Sequence, residues 1–378
     1  MDARQRDAAR VTGLAALVVL AWVYLLLWHG RFWQAGPVLG VAVPMEAPRV
    51  AVVVPARDEA EHVGAALRSL LAQDYAGEFS VILVDDGSVD GTGDIARGLA
   101  DARLTVIDGA ARPVGWSGKL WAVAQGVAAA DDGVTLFLLT DADIVHQPGH
   151  LSALVARAER GGIDLVSEMV ALRCESWAER ALVPGFVYFF QMLYPFAWVN
   201  NTLRATAAAA GGTMLVRRRA LQRIGGIAAV RGALIDDVAL ACAVKAGGRI
   251  WLGHSDLARS AREYAGFADI WRMIARTAFT QLRQSWMLLV LTVLGMGLVF
   301  IAPVLFAIFG EGWAQACGLL AWLVMSLSCW PGLRRFGLSP AWGVGLPLVA
   351  GFFTAATIGS ALGRGVEWKR RVYNGSAL

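Results

Sequence analysis

Two carboxylates separated by one alanine, Asp141 and Asp143, close the apolar run VTLFLLTDADI that begins at Val134. An uncharged run bounded by Thr140 predicts a strand buried on both faces. An Asp-x-Asp at its end offers oxygen ligands to one hard divalent cation, Mg²⁺ or Mn²⁺. Ala142 has too little bulk to obstruct a diphosphate approaching through that cation. Such a triplet is a weak signal alone, because it arises often by chance; what precedes and follows it gives it weight.

The elements needed to position these groups are legible upstream. Val50–Val54 is a β-branched strand that stops at Pro55, and Ala56-Arg57-Asp58-Glu59 opens a helix to about Gln73, with Asp58 and Glu59 in its first turn. Ser80–Val84 is a second buried strand ending in Asp85-Asp86-Gly87-Ser88. Asp90-Gly91-Thr92 starts another helix, Leu104–Ile107 is a third strand, and Val166–Leu172 a later one. Strands and helices in regular alternation predict a parallel α/β sheet, in which ligands gather at the C-terminal strand ends. Asp58, Glu59, Asp85, Asp86, Asp141 and Asp143 all fall there. Like charges on one edge repel unless something cationic or hydroxyl-rich sits among them. Helix capping accounts for Asp58 or Asp90 taken singly; a ribose and a metal-bound diphosphate account better for the whole set.

The chain has 378 residues, of which 57% are hydrophobic, and a mean hydropathy of +0.52, too apolar for an ordinary soluble protein. Val11–Trp28 carries no charge and is flanked by Arg4, Arg6, Arg10 and Arg31. It is long enough to cross a bilayer, and without a small-residue cleavage site it is expected to be a retained anchor. Residues 287–309, 313–330 and 341–362 are further candidate spans. Ala181–Val199 is apolar and aromatic but contains Pro184 and Pro195, so it is expected to be an interfacial element bordering the entry of a lipid acceptor. The net charge of +4, from 34 basic and 30 acidic residues, implies no nucleic acid. Cys174, Cys242, Cys317 and Cys329 form no CxxC pair and are expected to be reduced. No histidine shows metal-ligand spacing; Pro148 breaks the helix that a His146–His150 pair would need. No span carries an internal charge, which argues against a transporter.

Four ordered segments, VVVPARDEAEHVGAALRSLLAQDY from Val52, VILVDDGSVDGT from Val81, GWSGKLWAVAQG from Gly115 and LLTDADI from Leu138, resemble the nucleotide-sugar half of the family 2 glycosyltransferases. The similarity runs from about Val50 to Trp286. GWSGKLWAVAQG and the tail GRGVEWKRRVY are closest to the hopene-associated glycosyltransferase group. The resemblance implies an α/β GT-A fold, a Rossmann-like nucleotide-sugar-binding sheet, with N-terminal and C-terminal transmembrane helices. It divides the chain into an anchor (1–43), a catalytic domain (44–285) containing the aromatic segment 181–200, and a membrane-helix region (286–378).

The resemblance also implies roles. Pro55, Glu59, Asp85 and Asp86 would hold the uridine and Lys119 would lie beside the diphosphate. Asp143, helped by Asp141, would hold the metal, and Gly211 and Gly212 would lie close to the donor and acceptor sugars. LIDDVAL from Leu234 is similar to the family's acidic ED motif with Asp in place of Glu, which makes Asp237 the catalytic base and leaves Asp236 to orient or bind. Thr280–Trp286 occupies the place of QxxRW without matching it, so Arg283 and Trp286 are candidate phosphate or acceptor contacts. The implied activity is inverting transfer from a UDP-sugar to a hopanoid or other isoprenoid lipid, in the bacterial inner membrane with the catalytic domain facing the cytoplasm. A polyprenyl-phosphate glycosyltransferase, a processive polysaccharide synthase and a nucleotide-sugar-binding scaffold are the alternatives. Four spans and basic residues at both ends would place the catalytic domain outside by the positive-inside rule; the cytoplasmic location of nucleotide sugars outweighs that count.

Overall fold

The computed structural model describes residues 3–363, 366–368 and 371–373. The basic tail residues Arg364, Lys369 and Arg370 lie outside them. The chain forms two compact units: one from Met1–Gly36, Cys174–Ala197 and Tyr264–Val366, the other mainly from Pro37–Arg173 and Trp198–Glu263. Residues 181–197 and 264–285, assigned from sequence to the catalytic domain, group with the apolar helices.

The second unit is organised by a nine-stranded sheet: β1 (Val38–Leu39), β2 (Val50–Ala56), β3 (Phe79–Asp85), β4 (Leu104–Asp108), β5 (Leu136–Thr140), β6 (Ile144–His146), β7 (Leu165–Ala171), β8 (Thr213–Arg217) and β9 (Ile250–Ser260). The spatial order is β1-β9-β7-β8-β5-β2-β3-β4, with β6 paired to β9. The expected parallel arrangement holds for β4, β3, β2 and β5. Beyond β5 it does not: β8 runs antiparallel to both β5 and β7. A strand's own sequence carries no direction, so alternation alone could not reveal this. Val52, Val54, Leu83, Leu136 and Leu138 are at most 2% exposed in the resulting core. Burial on both faces explains their continuous rather than alternating apolar character.

The helix after β2 is shorter than expected, Val63–Leu71. Asp58 adopts a positive φ of 49° and sits in a turn instead of a helix, accepting from Val89 N. Asp90 ties the same turns together by accepting from Ala60 N and Thr92 N. For these two residues capping and turn-making is the observed role.

The first unit is helical. Among the described residues five helical stretches, Arg10–Leu27, Trp177–Val199, Trp286–Phe309, Gly312–Arg335 and Pro340–Leu362, are long and apolar enough to cross a membrane. The second of these was expected to be an interfacial element. Its helix Trp177–Leu193 instead runs through Pro184 and ends before Pro195, started by a capping box between Ser176 and Glu179. Small residues let these helices approach closely. A Cβ on Gly318 would lie 2.5 Å from Ala307 N, and one on Gly185 would lie 2.4 Å from Val349 Cγ1. Between the helices lies a cavity of about 310 Å³ whose lining includes Trp177, Tyr188, Phe267, Trp342 and Phe352, with Arg180 its one charged residue.

Candidate active site

The Gly118–Ala129 helix positions the first cation. Ser117 caps its start by accepting from Leu120 N. Near its end Gly126 lies where a Cβ would come 2.5 Å from Val53 Cγ1, so glycine lets the helix pack directly on β2. Lys119 Nζ thereby reaches Asp141 Oδ1 at 2.8 Å and Asp236 Oδ2 at 3.1 Å.

The second cation is one that spacing did not single out. Arg262, just past the end of β9, donates from Nε to Asp143 Oδ2 at 2.8 Å and from Nη2 to both oxygens of Glu59, at 2.9 and 3.1 Å. Ala261 N holds the Asp143 carbonyl at 2.8 Å. The carboxylates on this edge are therefore compensated by two protein cations, which resolves the repulsion anticipated from the sequence. Nothing in the local sequence SAREY marks Arg262, because its partners lie more than a hundred residues away along the chain.

Asp85 and Asp86 are both buried, at the end of β3. Asp85 Oδ1 accepts from Ser88 N at 2.8 Å, and the lack of a side chain at Gly93 leaves room for its other oxygen. Arg57 donates to the Asp86 carbonyl. Pro55, Lys119, Asp141, Gly211 and Asp236 line a cleft with only about 10 Å³ of free space, about one water molecule's room.

Asp236 and Asp237 begin the helix Asp236–Lys245. Asp236 faces Lys119, while Asp237 sits against the Gly211 turn: a Cβ on Gly211 would lie 3.2 Å from Asp237 Oδ2 and 3.4 Å from Lys119 Nζ. Burial and then the neighbouring Asp236 charge push the Asp237 carboxyl up to about 7, against the opposing effects of Lys119 and the Val238 and Gly211 N–H groups. Asp141 is also raised, by burial first, with Lys119 pulling the other way. Burial opposes the charge on Lys119, but Asp141, Asp236 and Asp237 outweigh it and hold its pKa above the ordinary lysine value.

Lys119 and Arg262 together bring two positive charges to Asp141 and Asp143, the charge that one Mg²⁺ or Mn²⁺ ion carries, and carboxylate oxygens suit a hard ion. The pair therefore fits a divalent cation. Among the described residues no group of three or more His, Cys, Asp or Glu is placed to hold a metal, so oxygens of a bound substrate and water would have to complete its coordination.

Pro55, Glu59, Asp85, Asp86, Lys119, Asp141, Asp143, Gly211, Gly212, Asp236 and Asp237 all belong to the sheet-containing unit, whereas Arg283 and Trp286 belong to the helical one. Arg283 lies in a tight turn with φ 52°, and Trp286 begins a helix with its ring beside Phe279. His146 and His150, dismissed on spacing, do meet. Pro148 lies in a turn between β6 and the helix His150–Glu159, so no single helix is needed, and their Nδ1 atoms are 2.8 Å apart. All four cysteines are free thiols.

Residues 51–225 match the family model described as glycosyl transferase family 2. An uncharacterized protein, y4gI of Sinorhizobium fredii (strain NBRC 101917 / NGR234), is 31% identical over 173 residues, 43% of this chain; the chain spans 17% of that relative's length. The fold is similar to that of the mannosyltransferase PcManGT from Pyrobaculum calidifontis in complex with GDP-Man and Mn²⁺, with a TM-score of 0.55 at 20% identity over 93% of this chain and 98% of that one. A more distant likeness, TM-score 0.42 at 14% identity, is to S. aureus TarS 1-349 in complex with UDP-GlcNAc, over 84% of this chain and 93% of that one. Residues 51–225 thus match glycosyl transferase family 2, in a chain whose sheet-containing unit has the GT-A fold.

Proposed function

We propose that this protein is a membrane-bound inverting glycosyltransferase that moves a sugar from a UDP-sugar to a lipid acceptor, with Asp237 as its general base. The observation that carries this is the placing of Asp237 against the Gly211 turn beside the lysine that bridges to Asp141, where burial pushes its carboxyl up to about 7. A base poised near the working pH is both deprotonated often enough and basic enough to accept a proton in the transition state. The acceptor hydroxyl gives its proton to Asp237 as its oxygen attacks the anomeric carbon. The bond to the UDP oxygen breaks on the opposite face, and one displacement inverts the configuration.

Pro55, Glu59, Asp85 and Asp86 hold the nucleoside end of the donor. Asp143 and Asp141 hold the divalent ion, which when bound neutralises the diphosphate. Lys119 and Arg262 already pair with those carboxylates, and both are long enough to turn their charge onto the phosphates as these arrive. The Pyrobaculum protein was solved with GDP-Man and Mn²⁺, a nucleotide sugar and a divalent ion, the general classes of donor and ion proposed here.

A lipid acceptor is supported by the helical stretches long and apolar enough to cross a membrane and by the apolar cavity among them. A hopanoid or another isoprenoid lipid fits that lining. The Arg180 guanidinium at the cavity favours a second reading, an acceptor with an anionic head such as a polyprenyl phosphate. The catalytic unit would face the cytoplasm of a bacterial inner membrane, where nucleotide sugars are made.

The test is UDP release by detergent-purified protein given a panel of UDP-sugars, Mg²⁺ or Mn²⁺ and a total lipid extract. Wild type should release UDP and label a lipid, and mass analysis of that lipid separates a neutral isoprenoid from a polyprenyl phosphate. Asp143→Ala should weaken metal-dependent nucleotide binding; unchanged affinity in a titration would remove the metal assignment.

A further inference from the structure

Four side chains beneath the site, none used above, form a continuous buried chain. Thr140 ends β5, His146 lies on β6, His150 begins the following helix, and Glu168 lies on β7. Their exposures are 2%, 4%, 0% and 0%. Glu168 Oε1 is 2.5 Å from His150 Nε2, and His150 Nδ1 is 2.8 Å from His146 Nδ1. His146 Nε2 is 3.2 Å from Thr140 Oγ1, which lies 2.9 Å from the Gly212 carbonyl. The same carbonyl accepts from Asp141 N at 3.2 Å. The next residue back, Gly211, donates its N–H to Asp237.

We propose that Thr140, His146, His150 and Glu168 are positioning residues: a buried relay that fixes the Gly211–Gly212 turn and, through it, the Asp237 carboxylate. The inference rests on the reading of Asp237 as the base. A glycine pair has no side chains with which to pack itself in place, so the turn must be held by its own backbone groups. Ser167, from β7, holds the flanking residues in the same manner, accepting from Ala210 N at 2.8 Å with its hydroxyl near the carbonyls of Ala210 and Thr213.

Proton counting gives the chain its direction. Burial, and then the neighbouring His150, hold the His146 pKa well below the ordinary histidine value, so His146 is neutral and has one N–H. The single Thr140 hydroxyl proton goes to Gly212 O, so Thr140 Oγ1 accepts from His146 Nε2–H. His146 Nδ1 must then accept, and His150 Nδ1 donates to it. One further proton is shared between His150 Nε2 and Glu168 Oε1. Glu168 Oε2 is buried without a hydrogen-bond partner, so Oε1 is the oxygen through which Glu168 holds the chain. Around the pair, the helix Val63–Leu71 contributes the uncharged Ser69, and Gln73 lies just past it. β9 places Gly253 opposite Glu168 and His254 opposite Met169. Around Asp237 the charged groups are Asp236, Lys119 and, through Lys119, Asp141.

The test compares Thr140→Val, Thr140→Ser and Asp237→Asn in the full-length protein, reading kcat, donor KM and the pH profile of kcat/KM. Valine keeps the shape and removes the hydroxyl. It should lower kcat about tenfold, the order of one lost hydrogen bond, with donor KM within about twofold. It should also move the acid limb of the profile to higher pH, because a displaced Gly211 N–H no longer lowers the Asp237 pKa. Serine keeps the hydroxyl and should restore both. His150→Phe removes the donor to His146 and should shift the limb in the same direction; if it fails to fold, the threonine pair still decides. A purely structural role would lower Tm and leave the limb in place. Wild-type kcat and an unmoved limb in Thr140→Val, with Asp237→Asn inactive, overturn the relay. Full activity in Asp237→Asn overturns the base assignment instead.

Discussion

The charged edge of the sheet and the bundle of apolar helices are specified in opposite ways. At the sheet edge, position is set by point contacts: Lys119 bridges Asp141 and Asp236, and Arg262 bridges Glu59 and Asp143. Each group has few partners and no substitute. In the helical unit, Trp22, Tyr188, Phe300 and Met325 pack in one apolar cluster, while Leu20, Leu27, Leu294, Phe309 and Leu348 are exposed. Exposed large apolar side chains on helices of membrane-spanning length suit a lipid surround. There, many different apolar residues would serve, provided that length and close approach are kept. Substitutions at the first region should change chemistry with little effect on folding, and those at the second should do the reverse.

The largest separation is expected from Asp237→Asn, which should lower kcat by about 10² to 10⁴ while UDP-sugar affinity stays near wild type. Comparable losses of both would make Asp237 a binding residue. Arg262→Gln removes the guanidinium that competes for Asp143. It should tighten apparent Mn²⁺ binding about tenfold, roughly 1.4 kcal/mol, read as a larger Mn²⁺-induced rise in Tm. An equal rise in variant and wild type would show that Arg262 does not occupy the ion's place. Gly318→Val, in contrast, would push a side chain into the backbone at Ala307. It should cost about 1 to 3 kcal/mol of stability without altering UDP-sugar affinity measured on the folded fraction; a change in affinity would erase the contrast between the regions.

A further effect concerns pH. The Asp237 carboxyl, with a pKa near 7 in the fold against about 3.9 for an unfolded aspartate, holds its proton more tightly folded than unfolded. Its contribution to stability is complete below about pH 4 and is lost as pH rises through about 7. Asp237→Asn cannot undergo that loss. It should therefore be more stable than wild type above pH 7, with the gap closing on acidification, as thermal melts across that range would record. The same carboxylate must be free for catalysis, so kcat/KM of the wild type should rise through about pH 7 and then level off.

Several parts of this picture are local and were legible in the chain itself. The β2, β3, β4 and β5 strands, the acidic turns at their ends and the apolar helix lengths follow from hydrophobic period, turn residues and bilayer thickness, each carried by a few neighbouring residues. The motifs around Glu59, Asp85, Lys119, Asp141 and Asp237 likewise named residues that the sheet-containing unit carries together. Other features are long-range. The antiparallel direction of β8 depends on the path between strands, and Pro184 is tolerated inside a helix because the surrounding packing outweighs its local preference. Arg262 meets Glu59 across the fold, a pairing that no spacing rule encodes. His146 and His150 were set aside on a helical criterion, yet a strand and a turn bring them to 2.8 Å. Sequence determined which groups are present and which short elements carry them. Tertiary structure alone decided which charges neutralise one another and which buried polar groups meet, because those depend on distances between segments far apart along the chain.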